Sequence, residues 1–217
     1  MKTFQLEGSP REIVGKKATK TLRKQGLIPA ILYGQEPVKL PFEGVLKKGE
    51  KIVNIGAGKG VLVTDLVVTA ENVRNLIYSP HIFLVELALE GVRTTKAIIK
   101  ALQFHPVSDE LIHIDFLEVF DKKPIVMEVP VILEGHAEGV KAGGKLNLEM
   151  RKLRVKALYD KVPEILTINV ETLGLGKAIQ IGDLHFEGLE LTNAQNAVVC
   201  SVKLTRAARG MEASKEK

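Results

Sequence analysis

Three side chains able to bind a metal or direct a hydrogen bond stand close together in the middle of the chain: His105, His113 and Asp115. Imidazole and carboxylate are both competent metal ligands, and His113 and Asp115, two residues apart in an alternating segment, share one face of a strand. No further histidine has suitable spacing, so a metal centre is one reading and a hydrogen-bonding surface is another. In the second, the His113 ring donates and the Asp115 carboxylate accepts, as it would from the exocyclic amino group of a base. A separate concentration is cationic. Arg11–Lys24 holds six basic residues and a single acid, Glu12. A polyanion partner accounts for such a patch, because lysine and arginine displace condensed counterions from phosphates; a solvated helix face accounts for it equally well.

Other combinations fail on spacing. Gly56-Ala57-Gly58-Lys59-Gly60 lacks the interval of a phosphate-binding loop, no Ser or Thr follows its lysine, and no long helix opens after it. Ser9, Ser79, Ser108 and Ser201 lack a nucleophile-elbow sequence, and Ser108 near His105 and Asp109 is an ordinary polar turn. Cys200 alternates with Val198 and Val202, as a small core residue does, and a lone cysteine excludes an internal disulfide or a cysteine-clustered metal site. No catalysis and no cofactor are expected. A metal-dependent enzyme built on His105, His113 and Asp115 is the rival from another class, and it predicts stoichiometric bound metal.

The elements that must position these groups follow from local patterning. Lys16–Gln25 reads as a short helix closed by Gly26. Lys16, Lys20, Arg23 and Lys24 recur at i, i+4, i+7 and i+8 and share a face, with Ala18 and Leu22 opposite and inward. Thr3–Leu6 reads as an opening strand and Ile28–Gly34 as an apolar one, with Tyr33 at its end. The Tyr33 ring could pack on ribose or base, or merely on the edge of the core. Gly44–Gly60, rich in glycine and lysine, predicts a hairpin or an inserted loop. Thr69 is placed to cap a second helix over Ala70–Tyr78, whose apolar stripe is Val73, Leu76 and Ile77. Strands follow at Ile82–Glu90 and Val92–Leu102, with a turn near Gly91. Leu111–Phe120 then alternates, with Leu111, His113, Asp115, Leu117 and Val119 on one face and Ile112, Ile114, Phe116, Glu118 and Phe120 on the other.

Asp121-Lys122-Lys123-Pro124 reads as a domain junction. Beyond it, Ile125–Leu133, Arg151–Tyr159, Ile165–Glu171 and Ala197–Leu204 are strands separated by glycine and proline turns, with no helical period, so that half predicts all-β. The expected division is 1–120, then 121–205, then a disordered tail over 206–217, and the class is mainly β with a few short helices. The 217 residues are 45% hydrophobic and 26% charged, with a formal net charge of +5, as in a globular protein. No run approaches the about 18 apolar residues of a membrane span. Met1–Leu6 has no apolar core resembling a signal peptide. A cytoplasmic protein with no membrane partner is expected.

Several separated motifs also resemble one family. Leu22-Arg23-Lys24-Gln25-Gly26-Leu27-Ile28-Pro29-Ala30-Ile31-Leu32-Tyr33-Gly34, with Gln103-Phe104-His105-Pro106-Val107 and His113-Ile114-Asp115-Phe116, resembles bacterial large-subunit ribosomal protein twenty-five. Val129-Pro130-Val131, the Gly135–Gly144 stretch and Val162-Pro163 resemble its long two-domain form, also known as general stress protein CTC. The matches run in family order over nearly the whole chain. The resemblance implies an N-terminal β-barrel that binds 5S rRNA at loop E, a distorted duplex with a widened groove, followed by a second all-β domain. By position it implies Arg11, Lys16, Lys17, Thr19, Lys20 and Arg23 along the RNA backbone, with Tyr33 beside them. It implies Gln103, His105, His113 and Asp115 on strands facing the groove. Lys17 stands where the family commonly has glycine, Thr21 where it often has a second basic residue, and the segment around Val45–Leu66 is longer than usual. The implied role is a structural component of the large ribosomal subunit, a monomer off the ribosome, with ribosomal-protein neighbours reached through the second domain. The alternative is a stress-associated protein-interaction factor acting mainly through that nearly neutral second domain.

Overall fold

The computed structural model describes residues 1–13, 15–41, 44–90 and 93–205, with the backbone alone at Gln35. The expected tail over 206–217, the turn near Gly91 and the strand start at Val92 lie outside these residues. The chain divides into two units, Met1–Lys123 and Pro124–Lys217.

The first unit contains β1 (Lys2–Pro10), α1 (Lys16–Lys24), β2 (Leu27–Lys39), β3 (Glu50–Gly56), β4 (Lys59–Thr69), α2 (Ala70–Ile77), β5 (Phe83–Leu89), β6 (Arg93–Phe104) and β7 (Leu111–Glu118). The strands run in the order β1-β5-β6-β7-β2-β4-β3. A further pairing of β1 with β4, through Ser9 opposite Val67 and Pro10 opposite Leu66, closes six strands into a barrel and leaves β3 outside the ring. Closure removes the exposed edges that an open sheet would carry. Alternation decides which side chains fill it. On β7, Ile114, Phe116 and Glu118 point inward and are buried, while His113, Asp115 and Leu117 lie on the outer face. Leu6, Leu32, Leu66, Val85 and Leu87 join Ile114 and Phe116 in the core, and α2 adds Val73 and Leu76. Glu118 is tolerated inside because Arg93 Nη1 lies 3.2 Å away and Thr95 donates its hydroxyl at 2.8 Å.

Two local details differ from the sequence reading, and a third resolves an alternative it left open. β2 continues past Tyr33 to Lys39, with a bulge against β4 between Tyr33 and Pro37. Thr69 occupies the cap position of α2 without a side-chain hydrogen bond. The N–H of Ala70, the first helical residue, donates to the Gly26 carbonyl at 2.9 Å, so a tertiary contact satisfies one of the donors that a helix N-terminus leaves without an intrahelical partner. The Gly44–Gly60 segment becomes a hairpin whose second strand is β4, and Ala57 and Gly58 form its turn at φ of +53° and +69°. Two central residues with positive φ are the signature of the tight turn that matches strand twist, which is why glycines crowd there without forming a phosphate loop.

The second unit holds β8 (Ile125–Glu134), α3 (Glu138–Lys141), β9 (Lys145–Leu148), β10 (Lys152–Ala157), β11 (Leu166–Asn169), β12 (Ala178–Gln180), β13 (Glu190–Leu191) and β14 (Val198–Lys203). They form two sheets, β11-β8-β10-β13 and β12-β14-β9. Val129, Leu153, Val155, Ile168, Val199 and Cys200 are among its buried residues. The all-β reading holds apart from α3 and two single turns of 3-10 helix, at Tyr159–Lys161 and Ile181–Asp183. Four residues are too few for a helical period to show. In α3 the chain folds back so closely that a Cβ on Gly139 would lie 2.6 Å from the backbone of Gly174.

Candidate nucleic-acid interface

α1 presents its cations as the spacing predicts. Lys16, Lys17, Lys20, Arg23 and Lys24 are exposed, while Ala18 and Leu22 are half-buried beneath. Basic residues in its last turn complement the helix dipole. The decisive tether is Arg23, whose Nε donates to the Ile112 carbonyl at 3.2 Å. Ile112 precedes His113 on β7, so one hydrogen bond sets the cationic helix beside the strand that carries the directional groups. The rest of the Arg23 guanidinium is left for another acceptor.

Register then assembles the strand face. Gln103 lies opposite His113 and Ala101 opposite Asp115 on β6 and β7. Ile31 of β2 is flanked by Asp115 on β7 and Asp65 on β4, and Tyr33 is flanked by Leu117 and Val63. Partners across a ladder share a face. Gln103, His113, Asp115 and Tyr33 therefore belong to one outer surface. His113 Nδ1 is 2.8 Å from Asp115 Oδ1, close enough for an ion pair when the ring is protonated, although the two atoms are not aligned as a hydrogen bond. Burial pushes the Tyr33 hydroxyl pKa up, and the charges of Asp115 and Asp65 push it further in the same direction. The phenol thus stays neutral and can both donate and accept.

Three expected contacts sit differently from their sequence reading. His105 is not on a strand, because β6 ends at Phe104. It lies in the β6–β7 turn, where its Nδ1 accepts from the N–H groups of Val107 and Ser108 at 3.4 and 3.2 Å, so its ring hydrogen belongs on Nε2. Thr19 donates its hydroxyl to the Gly15 carbonyl at 2.8 Å, which leaves its lone pairs but no proton for a phosphate. Arg11 lies in the β1–α1 connection, apart from the cation face of the helix. Its Nε and Nη1 are enclosed without hydrogen-bond partners, and it borders a cavity of about 720 Å³ under Ala18 and Leu22.

Sequence reasoning passed over two groups. Asp65 is buried on the same sheet face, and Lys51 Nζ neutralises it at 2.6 Å. A carboxylate inside the apolar run Val61–Val68 was the available signal. Arg74 and Tyr78, one helical turn apart at the end of α2, join Arg23 and His105 around a second cavity of about 640 Å³. Tyr78 is 67% exposed there. The three candidate metal ligands do not converge: His105 borders this cavity, whereas His113 and Asp115 lie on the strand face. Among the described residues, no three His, Cys, Asp or Glu side chains gather at a possible metal site. What the surface offers is a row of cations for phosphates next to a row of donors, acceptors and a phenol ring for base edges.

The known proteins to which this chain is similar are ribosomal proteins. The Ribosomal L25p family matches residues 6–57 and 45–116, and the C-terminal domain of ribosomal protein TL5 matches residues 124–206. The chain is similar to large ribosomal subunit protein bL25 of Porphyromonas gingivalis, at 60% identity over 216 residues and 100% of both chains. It is similar to the protein of the same name from Parabacteroides distasonis, at 58% identity over 98% of this chain and 99% of the relative. The corresponding protein of Bacteroides fragilis is 49% identical over 99% of this chain and 98% of its own.

Proposed function

The chain belongs to the ribosomal L25p family in its long, two-domain form, and from that membership we propose that its N-terminal unit binds 5S rRNA at the distorted duplex of loop E. The protein is a structural, non-catalytic component of the large ribosomal subunit. In this reading it is cytoplasmic, monomeric off the ribosome, and in contact with neighbouring ribosomal proteins through its C-terminal unit.

Two kinds of contact divide the work. Lys16, Lys17, Lys20 and Lys24, with the free nitrogens of Arg23, neutralise phosphates and set the position of the RNA. Gln103, His113, Asp115 and Tyr33 read base edges and riboses in a groove that an irregular duplex holds open. His105 reaches in from the adjoining turn and Thr19 serves as an acceptor for a ribose hydroxyl, while Arg11, its Nε and Nη1 enclosed, adds positive charge behind the patch and makes no phosphate contact through those two nitrogens. The observation that supports this reading is the Arg23–Ile112 hydrogen bond, which ties the cationic helix to the strand carrying His113 and Asp115. Its test is binding of the full chain to a 5S rRNA fragment containing loop E, beside a regular duplex of equal length, at two salt concentrations. Selective binding that weakens with salt is expected. Equal, weak binding to both RNAs would reduce the patch to a generic polyanion surface and overturn the proposal.

A further inference from the structure

The interface described so far makes no use of the β3–β4 hairpin or the end of β2. The two faces of this ribbon are unlike. On one, Ile52, Val38 and Leu62 are half-buried beside Gly60, where a Cβ would come within 2.4 Å of Ile52 Cγ2. The other carries Lys39, Lys51, Val53 and Lys59, all exposed. Register makes that second face continuous with the proposed site. Along β4, Lys59, Val61, Val63 and Asp65 share a side; Val63 pairs with Tyr33, and Asp65 pairs with Ile31 next to Asp115. Four residues separate Val63 from Lys59, so the lysine lies roughly 13 Å farther along the same surface at ~3.3 Å per residue.

Lys39 and Lys59 stand directly opposite each other across β2 and β4. Like charges in that position, their Cβ atoms about 5 Å apart, weaken a ladder. Among the described residues neither has a carboxylate within ion-pair distance, in contrast to Lys51, which Asp65 neutralises at 2.6 Å. An apolar inner face keeps the ribbon folded, so the repulsion is held in place and not relaxed by fraying. An anion lying across both ammonium groups would relieve it. Given the RNA-binding reading, on which this step rests, the anion selected by charge and by continuity of the surface is the RNA backbone next to the loop E segment. We infer that Lys39 and Lys59 form a second phosphate grip, which lengthens the bound stretch of 5S rRNA beyond the part faced by the barrel.

The test uses the full chain and a 5S rRNA fragment extending past loop E on both sides. The Lys39→Ala/Lys59→Ala double variant is compared with wild type and with Lys20→Ala. In the double variant the slope of log affinity against log salt falls by about 1.5 to 2, as two phosphate contacts require. Its hydroxyl-radical footprint keeps loop E and loses protection on one flank. Its unfolding temperature is no lower than that of wild type, because a like-charge pair has been removed. A wild-type slope and footprint in the double variant overturn this inference alone; a block of subunit incorporation by Val53→Asp in that case would hand the face to a protein neighbour. If wild type does not prefer loop E, or Lys20→Ala also binds with an unchanged slope, the reading beneath it falls as well.

Discussion

The basic residues of α1 in the N-terminal unit and those on the strands of the C-terminal unit are placed in different ways. On β10 of the C-terminal unit, Arg154 faces Glu128 of β8 at 3.3 Å and Lys156 faces Glu190 of β13 at 2.8 Å, and on β14 Lys203 lies 2.8 Å from Glu149. On α1 of the N-terminal unit, Lys16, Lys20 and Lys24 have no carboxylate within ion-pair distance among the described residues. Matched surface pairs contribute about 0 to 1 kcal/mol each and hold their charge at home. Unmatched ones raise the local potential and contribute little to folding. On the proposed reading, pairing separates cations that dress a β surface from cations kept for a partner, where a count of lysines and arginines cannot.

The comparison is broken most directly by reversing the unmatched charges. Lys20→Glu with Lys24→Glu lowers affinity for 5S rRNA on the order of 1,000-fold at low salt, measured by fluorescence anisotropy. A loss below tenfold would show that the helix face is not in the interface. Asp115→Ala acts on the other half of the site, with overall affinity nearly kept. The preference for loop E over regular duplex drops roughly tenfold, in the range of one directional base contact. Retained preference in a competition assay would remove Asp115 from the reading face. In the C-terminal unit, Arg154→Ala leaves RNA binding unchanged and costs below about 1 kcal/mol in urea denaturation. A fall in RNA affinity there would mean that matched charges also serve the partner. The smallest effect belongs to Glu149. Hydrogen bonds from Lys203 and then Asn147 hold its carboxyl below the ordinary value. A depressed folded-state pKa stabilises at neutral pH, above the unfolded-state value, and that contribution is lost as pH falls through the folded one. Thermal melts of wild type and Glu149→Gln accordingly differ slightly at neutral pH and converge in acid.

What was legible in advance depended on the range of the interaction. The shared face of Lys16, Lys20, Arg23 and Lys24 is a property of nine consecutive helical residues, and the outward placement of His113 and Asp115 a property of one alternating strand. Both could be read from periodicity. Other features depend on which strands become neighbours. Nothing near Asp65 in the sequence shows its partner, which β3 supplies by bringing Lys51 across to it. The enclosure of Arg11 depends on α1 lying over the β1–α1 connection, and no local pattern records that. His105 was misplaced for a shorter-range reason. The strand runs to Phe104, two residues past the expected end at Leu102. The placement of His105 on it, which came from the family resemblance, fails because the turn from His105 to Glu110 folds on itself, with Asp109 at φ +53° and donating its N–H to the His105 carbonyl. In the second unit, β9, β12 and β13 span two to four residues and are too short to alternate visibly.

The barrel's parallel pairings have a consequence for how the protein is made. β1 pairs with β5 and β2 pairs with β7, in each case across a long intervening stretch of chain. A chain leaves its own ribosome N-terminus first. The α1 cations therefore emerge while β1 still waits for Phe83–Leu89 to be synthesised, and Tyr33 waits still longer for Asp115. On the proposed reading, the nascent chain carries its cations during that interval without the surface that reads bases. Recognition would then be acquired when the strand ending at Glu118 takes its place beside β2.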